Sequence, residues 1–170
     1  VDRRGRIGRR MRIVISLAHQ TLTLLDASGA VVARYPVSTA KRGAGEQRGS
    51  YQTPRGEHRV RAKIGAGAAR GAVFKARRLT GEICTPAAYA ADPDRDWILT
   101  RILWLAGCEP GRNRFGAVDT QGRYIYIHGT PDAVPLGVPA SHGCVRMHSD
   151  DLITLFEGVP VGTAVTLTEN

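Results

Sequence analysis

The sequence is poor in cysteine, methionine and aromatic residues and has no long apolar run, and each shortage removes a class of protein. Only three cysteines, Cys84, Cys108 and Cys144, occur among 170 residues. An odd number cannot pair completely, and a domain of this length needs no disulfide scaffold, so at least one thiol is free. Cys84 and Cys108 are read as small buried hydrophobes. No stretch approaches the roughly 20 consecutive apolar residues of a membrane helix. The most apolar segment, residues 97–106, is broken by Thr100 and Arg101. Aromatic residues make up 6% and do not interleave with basic ones as they do on RNA-binding surfaces. Nucleic acid is therefore not expected as a partner.

Acids are the scarcer charge, 15 against 24 lysines and arginines, for a net charge of +9. Six arginines (Arg3, Arg4, Arg6, Arg9, Arg10 and Arg12) face only Asp2 in the first twelve residues, so this head carries +5 of the total. Residues 1–10 are read as a basic, disordered extension preceding one domain over residues 11–170. An apolar share of 42% suffices to build its core. The basic start is followed by only six apolar-leaning residues, 13–18, and then by His19 and Gln20, too little for a secretory leader. On this evidence alone nothing directs export.

Short segments rich in β-branched residues, separated by turns, dominate. Residues 12–17 and 21–25 read as strands, and Asp26-Ala27-Ser28-Gly29 turns into residues 31–37. Residues 41–56 form a polar, Gly-rich loop ending in Thr53-Pro54-Arg55-Gly56, after which 58–64 resumes a strand. A short helical turn is expected at 86–91, strands at 97–105, 124–128 and 164–168, and a helix at 150–157 with Ser149 as N-cap and Gly158 closing it. The fold class implied is mostly β: a single-domain sandwich or closed mixed sheet with one or two short helices.

Chemistry concentrates in residues 124–148, which hold three of the five histidines and one cysteine. In an extended segment Tyr124, Tyr126 and His128 share a face, while Ile125 and Ile127 face the core. That puts an imidazole at a strand end where a loop begins. A thiol is mostly protonated at neutral pH, and a neighbouring imidazole can take its proton. Cys144 is thus a candidate nucleophile and His128 its candidate base. Gly143 lets the backbone approach a developing oxyanion, with the N–H groups of His142, Gly143 and Cys144 as donors.

Ile127-His128-Gly129-Thr130 followed by Ser141-His142-Gly143-Cys144-Val145-Arg146-Met147 closely resembles the signature of the L,D-transpeptidase (YkuD) catalytic domain. Thr53-Pro54-Arg55-Gly56 resembles its strand-entry turn, and the likeness runs over roughly residues 12–167. The resemblance implies an acyltransferase of cell wall biogenesis acting on peptidoglycan tetrapeptide stems. Its cysteine attacks the carbonyl of the third stem residue, expels the terminal D-alanine, and passes the acyl group to an amine of another stem, a 3→3 cross-link. With water as acceptor the same site is an L,D-carboxypeptidase, a hydrolase suited to cytoplasmic wall recycling. Carried over, the Gly129 carbonyl orients His128, and Arg146, Ser141, Tyr126 and Thr130 contact substrate, Arg146 through a carboxylate. No metal or organic cofactor is implied. Carbapenem-type inhibitors and a monomeric state are expected. The resemblance points to the cell envelope or periplasm; the missing leader points to the cytoplasm.

Other readings fit the residues less well. His128, His142, Cys144 and His148 are all zinc-ligand types, but no Cys-x-x-Cys or His-x-x-x-His pair anchors a site. No cysteine close in sequence stands ready to resolve an oxidised Cys144. Neither Gly-rich loop has the strand–loop–helix context of a phosphate cradle. His19 and His58 are read as structural.

Overall fold

A computed structural model describes residues 11–170; the expectation for residues 1–10 lies outside the described residues. In chain order the strands are β1 (Arg12–Ser16), β2 (Thr21–Leu25), β3 (Val31–Ser38), β4 (Gly56–Ile64), β5 (Ala72–Lys75), β6 (Arg78–Ile83), β7 (Ile98–Gly107), β8 (Tyr126–Thr130), β9 (Val145–His148) and β10 (Ala164–Thr168). Helix α1 (Pro86–Ala91) lies between β6 and β7, and α2 (Ser149–Gly158) follows β9 directly. The strands run β4-β10-β1-β2-β3-β9-β8-β7, and β7 pairs back onto β4, so eight strands close on themselves. β5 and β6 hang from the outer part of β7 as a hairpin. Two pairs are parallel, β1 with β10 and β8 with β9, which makes the closed sheet mixed.

Alternation drives the closure. Ile13 and Ile15 of β1, Leu22 and Leu24 of β2, Val145 and Met147 of β9, and Val165 and Leu167 of β10 all point into one core. Helix α2 adds Leu152, Leu155 and Phe156 and packs on β7, β8 and β9. Among the described residues no helix is long and apolar enough to cross a membrane.

Several local expectations need correction, among them the burial of two cysteines: Cys108 is exposed and Cys84 only half-buried. The strand expected at 124–128 begins only at Tyr126, because Tyr124 takes a left-handed backbone (φ +57°) and is exposed. Helix α2 starts one residue earlier than expected, with His148 at the N-cap position. Ser149 does not cap it: its hydroxyl bonds Thr100 Oγ1 at 2.7 Å. The β5–β6 hairpin, not anticipated, turns through Ala76 and Arg77, both at positive φ.

Candidate active site

Strand register brings the candidate residues together. In the parallel β8–β9 pair, Ile127 stands opposite Val145, His128 opposite Arg146 and Thr130 opposite His148. Cys144 lies one residue ahead of β9, level with Tyr126 by continuation of that register. Since alternate residues share a face, Cys144, Arg146 and His148 line one side of a polar stripe and Tyr126, His128 and Thr130 the other. Ile127, Val145 and Met147 hold the stripe down from the core side.

His128 is 1% exposed, and burial pushes its pKa below the usual 6.5. Its Nδ1 lies 2.7 Å from the Gly129 carbonyl oxygen. A carbonyl only accepts, so Nδ1 carries the ring proton and Nε2 is left as the sole acceptor. Among the described residues Nε2 has no hydrogen-bond partner, yet it is not sealed from solvent. Gly129 is bound to stay glycine, because a Cβ there would stand 2.5 Å from the Leu99 carbonyl oxygen.

Cys144 Sγ accepts from the Tyr126 N–H at 3.3 Å and donates to the Tyr124 carbonyl at 3.5 Å. Burial pushes the thiol pKa up to about 12, so the resting state is a neutral thiol beside a neutral imidazole. No hydrogen bond joins Sγ to His128 at rest. The two are diagonal neighbours across paired strands, roughly 7 Å apart between Cβ atoms.

The loop before Cys144 is tied on every side. Gly143 has φ +130°, a conformation that favours glycine, and a Cβ on it would sit tightly against the Gln52 carbonyl at 3.3 Å. Its carbonyl accepts from Thr53 Oγ1 at 2.9 Å, and Thr53 Oγ1 itself accepts from the Ala40 N–H at 3.0 Å. Ser141 Oγ donates to the Cys144 carbonyl at 2.6 Å and accepts from the Gly143 N–H at 3.2 Å. Two expectations change here. The Ser141 hydroxyl positions the loop and is not free for substrate, and the Gly143 N–H is already engaged. The amides of His142 and Cys144 have no partner among the described residues.

The remaining candidates are spread around this point. Arg146 lies 3.4 Å from the Ala140 carbonyl and 3.9 Å from Asp96, a loose set of partners for a guanidinium. Tyr126 receives a hydrogen bond from Arg77 at 3.0 Å on its hydroxyl, and Arg77 also stacks on Tyr124 and Trp104. His142 packs edge-on against Tyr51, and His148 pairs with Asp132 at 3.2 Å, which leads two of the four zinc-type residues away from the thiol. Tyr51 and His142 separate two basic clefts. One, of about 750 Å³, is flanked by Lys41 and Arg42; the other, of about 330 Å³, by Arg48 and Arg123.

Sequence reasoning missed Thr53 as a loop anchor, Arg123 as the clamp holding the Gln52 carbonyl at 2.7 Å, and Asp96, whose charge opposes the depression of the His128 pKa. Only Thr53 left a signal, the Pro-Gly turn that follows it.

Comparison with known proteins agrees with this architecture. Among solved structures, an L,D-transpeptidase from Mycobacterium smegmatis superposes with a TM-score of 0.55 at 20% identity, over 94% of this chain and 58% of that one. L,D-transpeptidase 3 from Mycobacterium tuberculosis, solved with a faropenem-derived adduct, gives 0.57 at 21%, over 94% and 60%. At such identities the likeness concerns the fold. In sequence, the "Probable L,D-transpeptidase YbiS" of Escherichia coli K12 is 52% identical over 44 residues, 26% of this chain and 14% of that protein. The curated relatives it matches align over about a third of their own length or less. The family model described as the L,D-transpeptidase catalytic domain (YkuD) matches residues 10–167, nearly the whole sequence, and the chain therefore belongs to that family.

Proposed function

We propose that this chain is a cysteine-dependent acyltransferase acting on peptidoglycan tetrapeptide stems. The observation that carries the reading is the His128 ring. Its proton is fixed on Nδ1 by the Gly129 carbonyl, and its one free acceptor serves the stripe on which Cys144 stands. As Cys144 Sγ attacks the carbonyl of the third stem residue, Nε2 takes the thiol proton and a C–S bond forms. The same proton passes to the departing amine, the C–N bond breaks, and D-alanine leaves behind a thioester. An amine from a second stem then attacks the thioester carbonyl, restoring the thiol and forming the 3→3 link. The N–H groups of His142 and Cys144 hold the oxyanion in both steps, and one such donor is typically worth about 3 kcal/mol. A tetrapeptide stem is rich in carboxylates, which suits the basic clefts beside His142 and the loosely paired Arg146.

Incubation with disaccharide-tetrapeptide, with products resolved by mass, tests the reading. Expected are D-alanine release and a cross-linked dimer; tripeptide alone would make the chain an L,D-carboxypeptidase. Structures of family members are described with imipenem and with a faropenem-derived adduct. A carbapenem is accordingly expected to add covalently to the wild-type chain and not to Cys144→Ala. An adduct that survives in Cys144→Ala, or turnover retained by it, would remove Cys144 from the chemistry.

A further inference from the structure

The polar stripe does not end at His128. Two positions further along β8, Thr130 is 3% exposed, and its hydroxyl has no hydrogen-bond partner among the described residues, yet is not sealed off. It lines a cavity of about 330 Å³ walled by Leu99, Pro131 and Tyr89. This cavity is separate from the basic clefts. It lies beyond the other end of the stripe, roughly 13 Å along the strands from the Cys144 level at about 3.3 Å per residue. Its mouth carries the opposite charge. Arg70 is shared between Asp132 at 2.9 Å and Asp150 at 2.7 Å, and His148 Nε2 also faces Asp132 at 3.2 Å. Both flanks of Arg70 are thereby engaged by carboxylate.

We propose that this cavity is the entry subsite for the acceptor, where the side-chain ammonium of the second stem is held by Asp132 and the Thr130 hydroxyl before it reaches the thioester. The inference rests on the acyl-transfer reading and adds to it a place for the second substrate. The order along the stripe fits the chemistry: acidic mouth, Thr130, His128, then Cys144. An ammonium held at Thr130 gives one proton to solvent as it becomes the free amine. The amine forms the C–N bond, its second proton passes through His128 Nε2 to the departing sulfur, and the C–S bond breaks. Donor carboxylates lie in the basic clefts and the acceptor cation in the acidic one, so each stem is steered to its own side of the thiol.

The partition of the acyl-enzyme tests this. The same thioester divides between amine, giving dimer, and water, giving tripeptide, so the ratio of the two does not depend on how fast the thioester forms. In Thr130→Val, which removes a hydroxyl that supports nothing in the fold, and in Asp132→Asn, the dimer-to-tripeptide ratio should fall at least tenfold. The acceptor concentration needed for half-maximal dimer should rise in step. An unchanged ratio in both variants, with wild type cross-linking normally, would overturn the subsite while leaving the acyltransferase reading intact. Absence of D-alanine release by wild type would instead overturn the reading on which it rests. Exposed Glu157, changed to Gln, serves as control and should leave the ratio where it is.

Discussion

His128 and His58 are both driven toward the neutral form by burial, yet they report on different properties. His58 bridges the Gly56 carbonyl at 3.0 Å and Thr120 Oγ1 at 2.8 Å, and its pKa is lowered to about 4. Unfolded, it titrates near 6.5. Between those values the unfolded chain takes up a proton that the native one refuses, so stability rises with pH across this window and is lost as pH falls from 6.5 toward 4. The loss is about 3 kcal/mol for a shift of this size. Denaturant unfolding of wild type and His58→Gln at pH 7 and pH 4.5 should show the variant losing distinctly less on acidification; equal losses would mean that His58 is not the buried titrating group. For His128 the readout is rate. A protonated ring cannot accept the thiol proton, so kcat/KM for acylation should decline only below an apparent pKa that is itself under 6.5. No alkaline limb from Cys144 should appear until far above neutrality, since its thiol is held near 12. An acid limb centred above 7 would contradict the buried neutral base.

At the scale of elements, what the sequence made legible is what local rules govern. The alternation in β1, β2, β8 and β10 and the apolar face of α2 follow from spacing alone, and all five elements were expected within two residues of where they lie. The β5–β6 hairpin was not, because its turn uses Ala76 and Arg77 at positive φ where Gly or Asn would have been the signal. The true start of β8 was hidden for the same reason, since nothing in Tyr124 announces φ +57°. The Cys144–His128 pairing could be read as chemistry but not as geometry, because the β8–β9 register that sets it is a non-local fact. Thr53 shows how far such long-range ties reach. Its one hydroxyl joins the Ala40 N–H to the Gly143 carbonyl, 90 residues away in sequence. Thr53→Val keeps the shape but strands both groups in a fully buried place, at a cost of about 1–3 kcal/mol. Thermal unfolding should record that loss. Because the freed carbonyl belongs to the loop presenting Cys144, the rate of covalent carbapenem addition should fall about tenfold or more as well. A destabilised variant with wild-type acylation would show that the loop holds its form without Thr53.

Closure governs the whole molecule. The sheet is a ring only because β10, near the C-terminal end, inserts between β1 and β4, parallel to the first and antiparallel to the second. In that arrangement β8 and β9 each have a strand on either side, whereas β6, exposed at every position, has a partner on one side only and lies on the hairpin outside the ring. β10 also delivers Val165 and Leu167, both essentially inaccessible, to the same core that supports Ile127 and Val145 beneath the polar stripe. Burying two such side chains contributes roughly 1.5–3 kcal/mol each, and removing the strand leaves unpaired backbone on both neighbours. Set against a typical domain stability of about 5–15 kcal/mol, the loss is comparable to the whole. A chain ending at Gly162 should therefore show no cooperative thermal transition and no carbapenem adduct, although every residue of the Cys144–His128 site is still present. A truncated chain that melts sharply and still acylates would mean that the site needs only the β7–β8–β9 layer with α2, and that the ring is dispensable to it.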